Sequence, residues 1–154
     1  MEQRVENKKT LSAGALLFVA CWTAYCASYL GRINYTAALT AIVADGVFSK
    51  PHAGFIGTVY FFCYGAGQIF SGILGDRVSP YKMIGAGLAG TVCANIIMPL
   101  CSSSYITMSI IWGLNGIVQS MLWTPVLYII ATVLPEKQRS RACLHIASSF
   151  PIGS

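Results

Sequence analysis

Long uncharged runs separated by short charged segments dominate this chain. Uncharged windows cover residues 11–31, 52–75 with His52 neutral, and 83–135. A helix needs about 20 apolar residues to cross a hydrocarbon core, so every window is long enough to span one. The third window holds 53 residues and therefore two helices. Its break is placed at 99–104, "PLCSSS", where proline and small polar residues stop a helix and turn the chain. A fifth apolar segment starts near Ala142 and runs 13 residues to Ser154, too short to span alone.

The pattern predicts an all-α, polytopic membrane protein. Residues 1–10 form a tail, followed by helices at about 11–44, 53–75, 82–100, 104–134 and a truncated 142–154. The chain is expected to be the N-terminal fragment of a larger protein, with lipid on its outer surface. The composition agrees: 10% of residues are charged, 55% are hydrophobic, and mean hydropathy is +0.64. A soluble domain carries about 25% charge. The first run is too long for a cleaved signal peptide, and similar runs follow it.

Lys and Arg are distributed unevenly. Arg4, Lys8 and Lys9 precede the first helix, Arg77 and Lys82 follow the second, and Lys137, Arg139 and Arg141 follow the fourth. The opposite side carries only Lys50. This asymmetry places the N-terminus and the 76–82 and 136–141 loops in the cytoplasm of a cell-membrane protein. The net charge of +5 sits at the ends of apolar spans, which argues against a nucleic-acid partner. Six cysteines without a CxxC pair form neither a disulfide framework nor a zinc site. No cofactor or metal is expected, and no Walker loop or supported nucleophile–base pattern suggests an enzyme.

One charge stands out. Arg32 follows 21 uncharged residues and precedes 12 more. A guanidinium at that depth is costly; it suits a phosphate or carboxylate ligand through forked, charge-assisted hydrogen bonds, or else pairs with a carboxylate elsewhere in the protein or snorkels outward. Tyr25, Tyr29, Arg32 and Thr36 recur at helical spacing on one face. Tyr60, Tyr64 and Gln68 form a stripe in the second helix, interleaved with Gly57, Gly65, Gly67 and Gly72. Trp112, Asn115, Gln119 and Trp123 form another in the fourth. Such stripes serve either as the lining of a polar pathway or as interhelical glue. The expected binding residues for a small anionic solute are Arg32, Tyr25, Tyr29, Gln68, Asn115 and Gln119. Gly72, Asp76 and Arg77 form a candidate latch at the cytoplasmic end of the second helix, where the glycines permit close packing.

"GILGDRVSPYK" (72–82) resembles the loop 2–3 signature of the major facilitator superfamily. "YCASYLGRINY" (25–35), "FCYGAGQIFSGILGDR" (62–77) and "WGLNGIVQSMLWTP" (112–125) resemble helices 1, 2 and 4 of its organophosphate:phosphate antiporters, such as the glycerol-3-phosphate and hexose-phosphate transporters. The resemblance implies a major facilitator-type bundle with two six-helix halves around one central site that opens alternately to each side. It implies that Arg32 binds phosphate together with a second arginine from the C-terminal half, beyond residue 154. Tyr25 matches a substrate-side tyrosine, and Tyr29 and Asn34 fit the helix 1 pattern. Gln68 stands where such carriers have lysine, Tyr128 where they have arginine, and Ser149 where the glycerol-phosphate carrier has histidine. The expected activity is exchange of a phosphate ester for phosphate. Cation- or proton-coupled symport of a carboxylate or sugar acid, and ligand sensing without transport, remain open.

Overall fold

The computed structural model describes residues 2–101, 103–134 and 136–147, and all its elements are helices. They are α1 (Glu2–Ala44), α2 (Lys50–Gly75), α3 (Pro80–Leu100), α4 (Tyr105–Val133) and α5 (Glu136–Ala147). Four are long and apolar enough to cross a membrane: Leu16–Ala44, Lys50–Gly75, Pro80–Leu100 and Tyr105–Val133. The 21 residues of α3 rise about 31 Å at 1.5 Å each, which just matches the hydrocarbon core. The 29-residue span of α1 exceeds that thickness and must tilt or project.

Two helix starts differ from the hydropathy pattern. α1 begins at Glu2, within the segment expected to be a tail. α5 begins at Glu136, so the charged 136–141 segment expected as a loop is helical. Hydropathy marks where lipid begins, not where helical hydrogen bonding begins. Glu136 in the first turn of α5 also complements the helix dipole. The Arg139 guanidinium donates from Nε to the Leu134 carbonyl, 3.0 Å away. The remainder of the expected fifth helix, 148–154 including Ser149, lies outside the described residues.

Turn chemistry sets the connections. α1 ends in a Schellman motif: the Val47 N–H bonds the Ile42 carbonyl and the Gly46 N–H bonds that of Val43. Gly46 takes φ 69°, which costs glycine nothing. Pro51 and Pro80 lie in the first turns of α2 and α3, where their missing N–H groups would lack helical partners anyway.

α4 is the hub, packed closely on α2 and α3, while α1 stands further off. Glycines allow these approaches. A Cβ on Gly116 would lie 2.5 Å from the Tyr60 carbonyl oxygen, and one on Gly87 2.9 Å from that of Val118. Gly85, Gly87 and Gly90 have the G-x-G-x-x-G spacing of a dinucleotide loop. They lie in mid-helix, however, where Gly87 and Gly90 admit Leu122 and Val118 of α4.

Two apolar clusters lie towards opposite ends of the bundle. Tyr35, Ile56, Tyr60, Met98, Met108 and Trp112 form one. Cys21, Val126, Ile129, Ile130, Leu134, Ala142 and Ile146 form the other. Between them lies a polar layer containing Ser28, Asn95, Asn115 and Gln119. Phe62, Ile69, Phe70 and Leu100 are at least 70% exposed, apolar surface that lipid or a further helix can cover.

Candidate functional site

The polar layer is organised around α1. Asn95 of α3 donates from Nδ2 to the Gly31 carbonyl at 2.9 Å. Its Oδ1 accepts from Asn34 Nδ2 at 3.0 Å. Gln119 of α4 donates from Nε2 to the Ser28 carbonyl at 3.2 Å and accepts at Oε1 from Tyr60 Oη at 2.7 Å. Two carboxamides, one from each neighbouring helix, thus grip the α1 backbone beside Arg32.

Four aromatic rings surround the guanidinium. Arg32 Cζ lies 4.9 Å from the Phe61 ring centroid, 5.2 Å from Tyr60, 5.5 Å from Tyr64 and 5.9 Å from Tyr29. Each ring face attracts a cation, by about 0.5–1 kcal/mol in exposed surroundings and about 2 kcal/mol or more when water is excluded. No carboxylate lies within the spans, because Glu2, Glu6, Asp45, Asp76 and Glu136, the chain's five acidic residues, fall outside all four. The rings stabilise the cation without neutralising it.

Tyr29 reaches Arg32, whereas Tyr25 is one turn removed. The Tyr25 ring meets Tyr29 edge-on at 5.2 Å and Trp123 at 5.2 Å. A continuous aromatic column thus leads from Trp123 to the guanidinium. Gln68 is half-buried, one turn beyond Tyr64.

Asn115 and Gln119 are both buried. Gln119 is interhelical glue, its amide engaged at both ends. Asn115 is 0% exposed, and neither Oδ1 nor Nδ2 has a hydrogen-bond partner among the described residues. Its level follows from the antiparallel register of α1 and α4. Ser28 meets Gln119 and Tyr35 meets Trp112. Four residues on from Ser28 is Arg32, and four back from Gln119 is Asn115, so the orphan amide stands at the level of the Arg32 backbone.

The expected latch is looser than its glycines suggest. A Cβ on Gly72 would meet nothing within 4 Å, and one on Gly75 would make ordinary contact with Thr124 at 3.5 Å. Asp76 and Arg77 are exposed. Gly57 and Gly65 likewise face open space, and only Gly67 of that stripe packs tightly, against Ser120. α2 meets α4 through the Gly67–Ser71 side, where the Ser71 and Ser120 hydroxyls lie 3.1 Å apart. Its other faces are turned away.

The stripe pattern does not single out Phe61. It is off the Tyr60–Tyr64–Gln68 line, and only the guanidinium resting between adjacent positions brings it into the site. An aromatic neighbour beside a stripe tyrosine was the available signal.

Residues 21–154 match the family model of the Major Facilitator Superfamily. Among curated proteins, the chain is 32% identical over 124 residues to a probable hexose phosphate transport protein of Chlamydia pneumoniae, covering 80% of this chain and 27% of that protein. It is 31% identical over 103 residues to the membrane sensor protein UhpC of Escherichia coli, covering 67% and 23%. It is 30% identical over 112 residues to the glycerol-3-phosphate transporter of Bacillus subtilis, covering 71% and 25%. The chain spans about a quarter of the length of these relatives. No solved structure gives a significant match.

Proposed function

The chain belongs to the Major Facilitator Superfamily, and on that premise we propose that it forms part of a secondary transporter for a small organic anion, with Arg32 as the anion's ligand. The observation that carries this reading is the Arg32 guanidinium, held by four rings in spans without a carboxylate. Similarity to proteins named as hexose phosphate and glycerol-3-phosphate transporters makes a phosphate ester, exchanged for phosphate, the favoured cargo. Gln68 supplies no charge, so a monoanion or carboxylate suits the site as well.

In this scheme the anion docks between these helices and a second, C-terminal set, as alternating access around one site requires. Tyr29 flanks the bound anion, and Tyr25 buttresses Tyr29. Gln68 and Asn115 offer neutral hydrogen bonds, and Gln119 holds Tyr60 in place. Asp76 and Arg77, with Gly72, form and release contacts at the cytoplasmic end as the two sets rock. The N-terminus is cytoplasmic, as the basic-residue asymmetry indicates.

The test is exchange in liposomes loaded with phosphate, comparing the protein with its Arg32→Ala variant. Phosphate-dependent exchange lost in the variant supports the reading. Uptake that follows a proton gradient instead makes the protein a symporter. Exchange unaffected by the variant removes Arg32 from the site. A second reading, ligand sensing without transport, draws on the similarity to a membrane sensor protein. It predicts Arg32-dependent binding with no flux.

A further inference from the structure

Beside Arg32 a cleft of about 290 Å³ opens between α1 and α2. The guanidinium is at one end, and Leu39, Phe61 and Trp112 contribute apolar and aromatic walls. Its room comes from two glycines of the lining, Gly54 and Gly57, at each of which an added Cβ would meet nothing within 4 Å. The volume is at the small end of ligand sites, which begin near about 300 Å³.

The hydroxyl protons of this cleft are largely committed. Tyr35 Oη donates to the Ala53 carbonyl at 2.5 Å, Tyr60 Oη to Gln119 at 2.7 Å, and Thr58 Oγ1 to the Gly54 carbonyl at 3.1 Å. Thr36 is the one hydroxyl of the lining without a bond among the described residues. A sugar moved from water into this space would have several hydroxyls to satisfy, and each failure is costly. A flat apolar body has no such need and can stack on the rings.

We infer that this cleft is the subsite for the organic body of the anion, and that it takes a compact apolar or aromatic body carrying few hydroxyls. The inference rests on Arg32 as the anion ligand. It departs from a polyhydroxylated cargo while keeping the anionic head.

Competition against labelled inorganic phosphate on the reconstituted protein tests it, with phenyl phosphate and glucose 6-phosphate as the competitors. Phenyl phosphate is expected to compete at about tenfold lower concentration than glucose 6-phosphate, the size of effect that burying a ring produces. Equal competition, or a preference for the sugar phosphate, overturns the inference. Gly57→Val and, separately, Gly54→Val put a branched side chain into the cleft. Each is expected to shrink the ratio between the two competitors towards one; an unchanged ratio in both overturns the placement in this cleft. Arg32→Gln separates the two levels of the argument. Phosphate binding that survives it removes the anion site itself. Phosphate binding that requires Arg32 without a phenyl preference removes only the cleft.

Discussion

Tyr60 donates its hydroxyl to Gln119 at 2.7 Å while its ring lies 5.2 Å from the Arg32 guanidinium carbon. The same side chain serves a structural bond and a cation's environment. Gln119 in turn holds the Ser28 carbonyl, so α1, α2 and α4 meet through one amide. Tyr60→Phe keeps the ring and leaves the Gln119 oxygen without its donor. The expected loss of stability is about 1 kcal/mol, in the range for interhelical hydrogen bonds in membranes. Thermal unfolding in detergent measures it. An unchanged midpoint would mean that the bond contributes nothing net.

Gly116 and Gly65 should respond oppositely to alanine. A Cβ at Gly116 would lie 2.5 Å from the Tyr60 carbonyl oxygen, so α2 and α4 must separate, at a cost of about 1–3 kcal/mol. A Cβ at Gly65 meets nothing within 4 Å. There alanine is expected to be neutral or to stabilise by up to about 1 kcal/mol through helix propensity. Unfolding midpoints of the two variants, measured side by side, decide the matter.

Gly31→Ala should weaken anion binding by way of α1. The added Cβ would meet Thr91 Cγ2 at 2.6 Å and push the helix away from α3 at the residue before Arg32. Thr91→Ser removes that methyl group. Phosphate competition should therefore be impaired in Gly31→Ala and restored in the double variant. Failure of the second change to rescue the first would mean that the clash is not with that methyl.

Asn115 is expected to trade stability for binding. Its amide is buried without a partner among the described residues, and replacing an unsatisfied polar group by an apolar one of similar shape is neutral or stabilising. Asn115→Leu should raise the unfolding midpoint, by an amount equivalent to about 1 kcal/mol, and reduce affinity for phosphate. A lower midpoint would show that the amide is satisfied in the membrane by water or by another segment.

How far the sequence discloses this arrangement depends on whether a feature is local. The spans follow from hydropathy, because a membrane crossing is a property of consecutive residues. The start of α5 does not, because Glu136 and Arg139 are polar yet helical. The placement of Arg32 deep in a span is visible from the sequence alone. Its ring partners are not, since they depend on how α2 rotates about its axis, and Phe61 lies off the stripe that draws attention. Glycine content likewise leaves open which side of a helix touches its neighbour. Gly67 meets Ser120, while Gly57 and Gly72 meet nothing. The interhelical role of Gln119 and the orphan state of Asn115 both depend on the antiparallel register of α1 and α4, which is a long-range property.

The aromatic surround of Arg32 also bears on how the protein is made. Tyr60, Phe61 and Tyr64 belong to α2, which emerges from the ribosome after α1. Until then the guanidinium has only Tyr29 of its four rings. An isolated α1 would bring a nearly bare charge into lipid, a cost of about 2.5–3.5 kcal/mol on insertion scales. The prediction is that glycosylation mapping finds α1 alone to be a poor membrane insert and the α1–α2 hairpin an efficient one. On that prediction the tight Gly46 turn has a biogenetic role: it delivers three of the cation's four rings in time for the first to enter the bilayer.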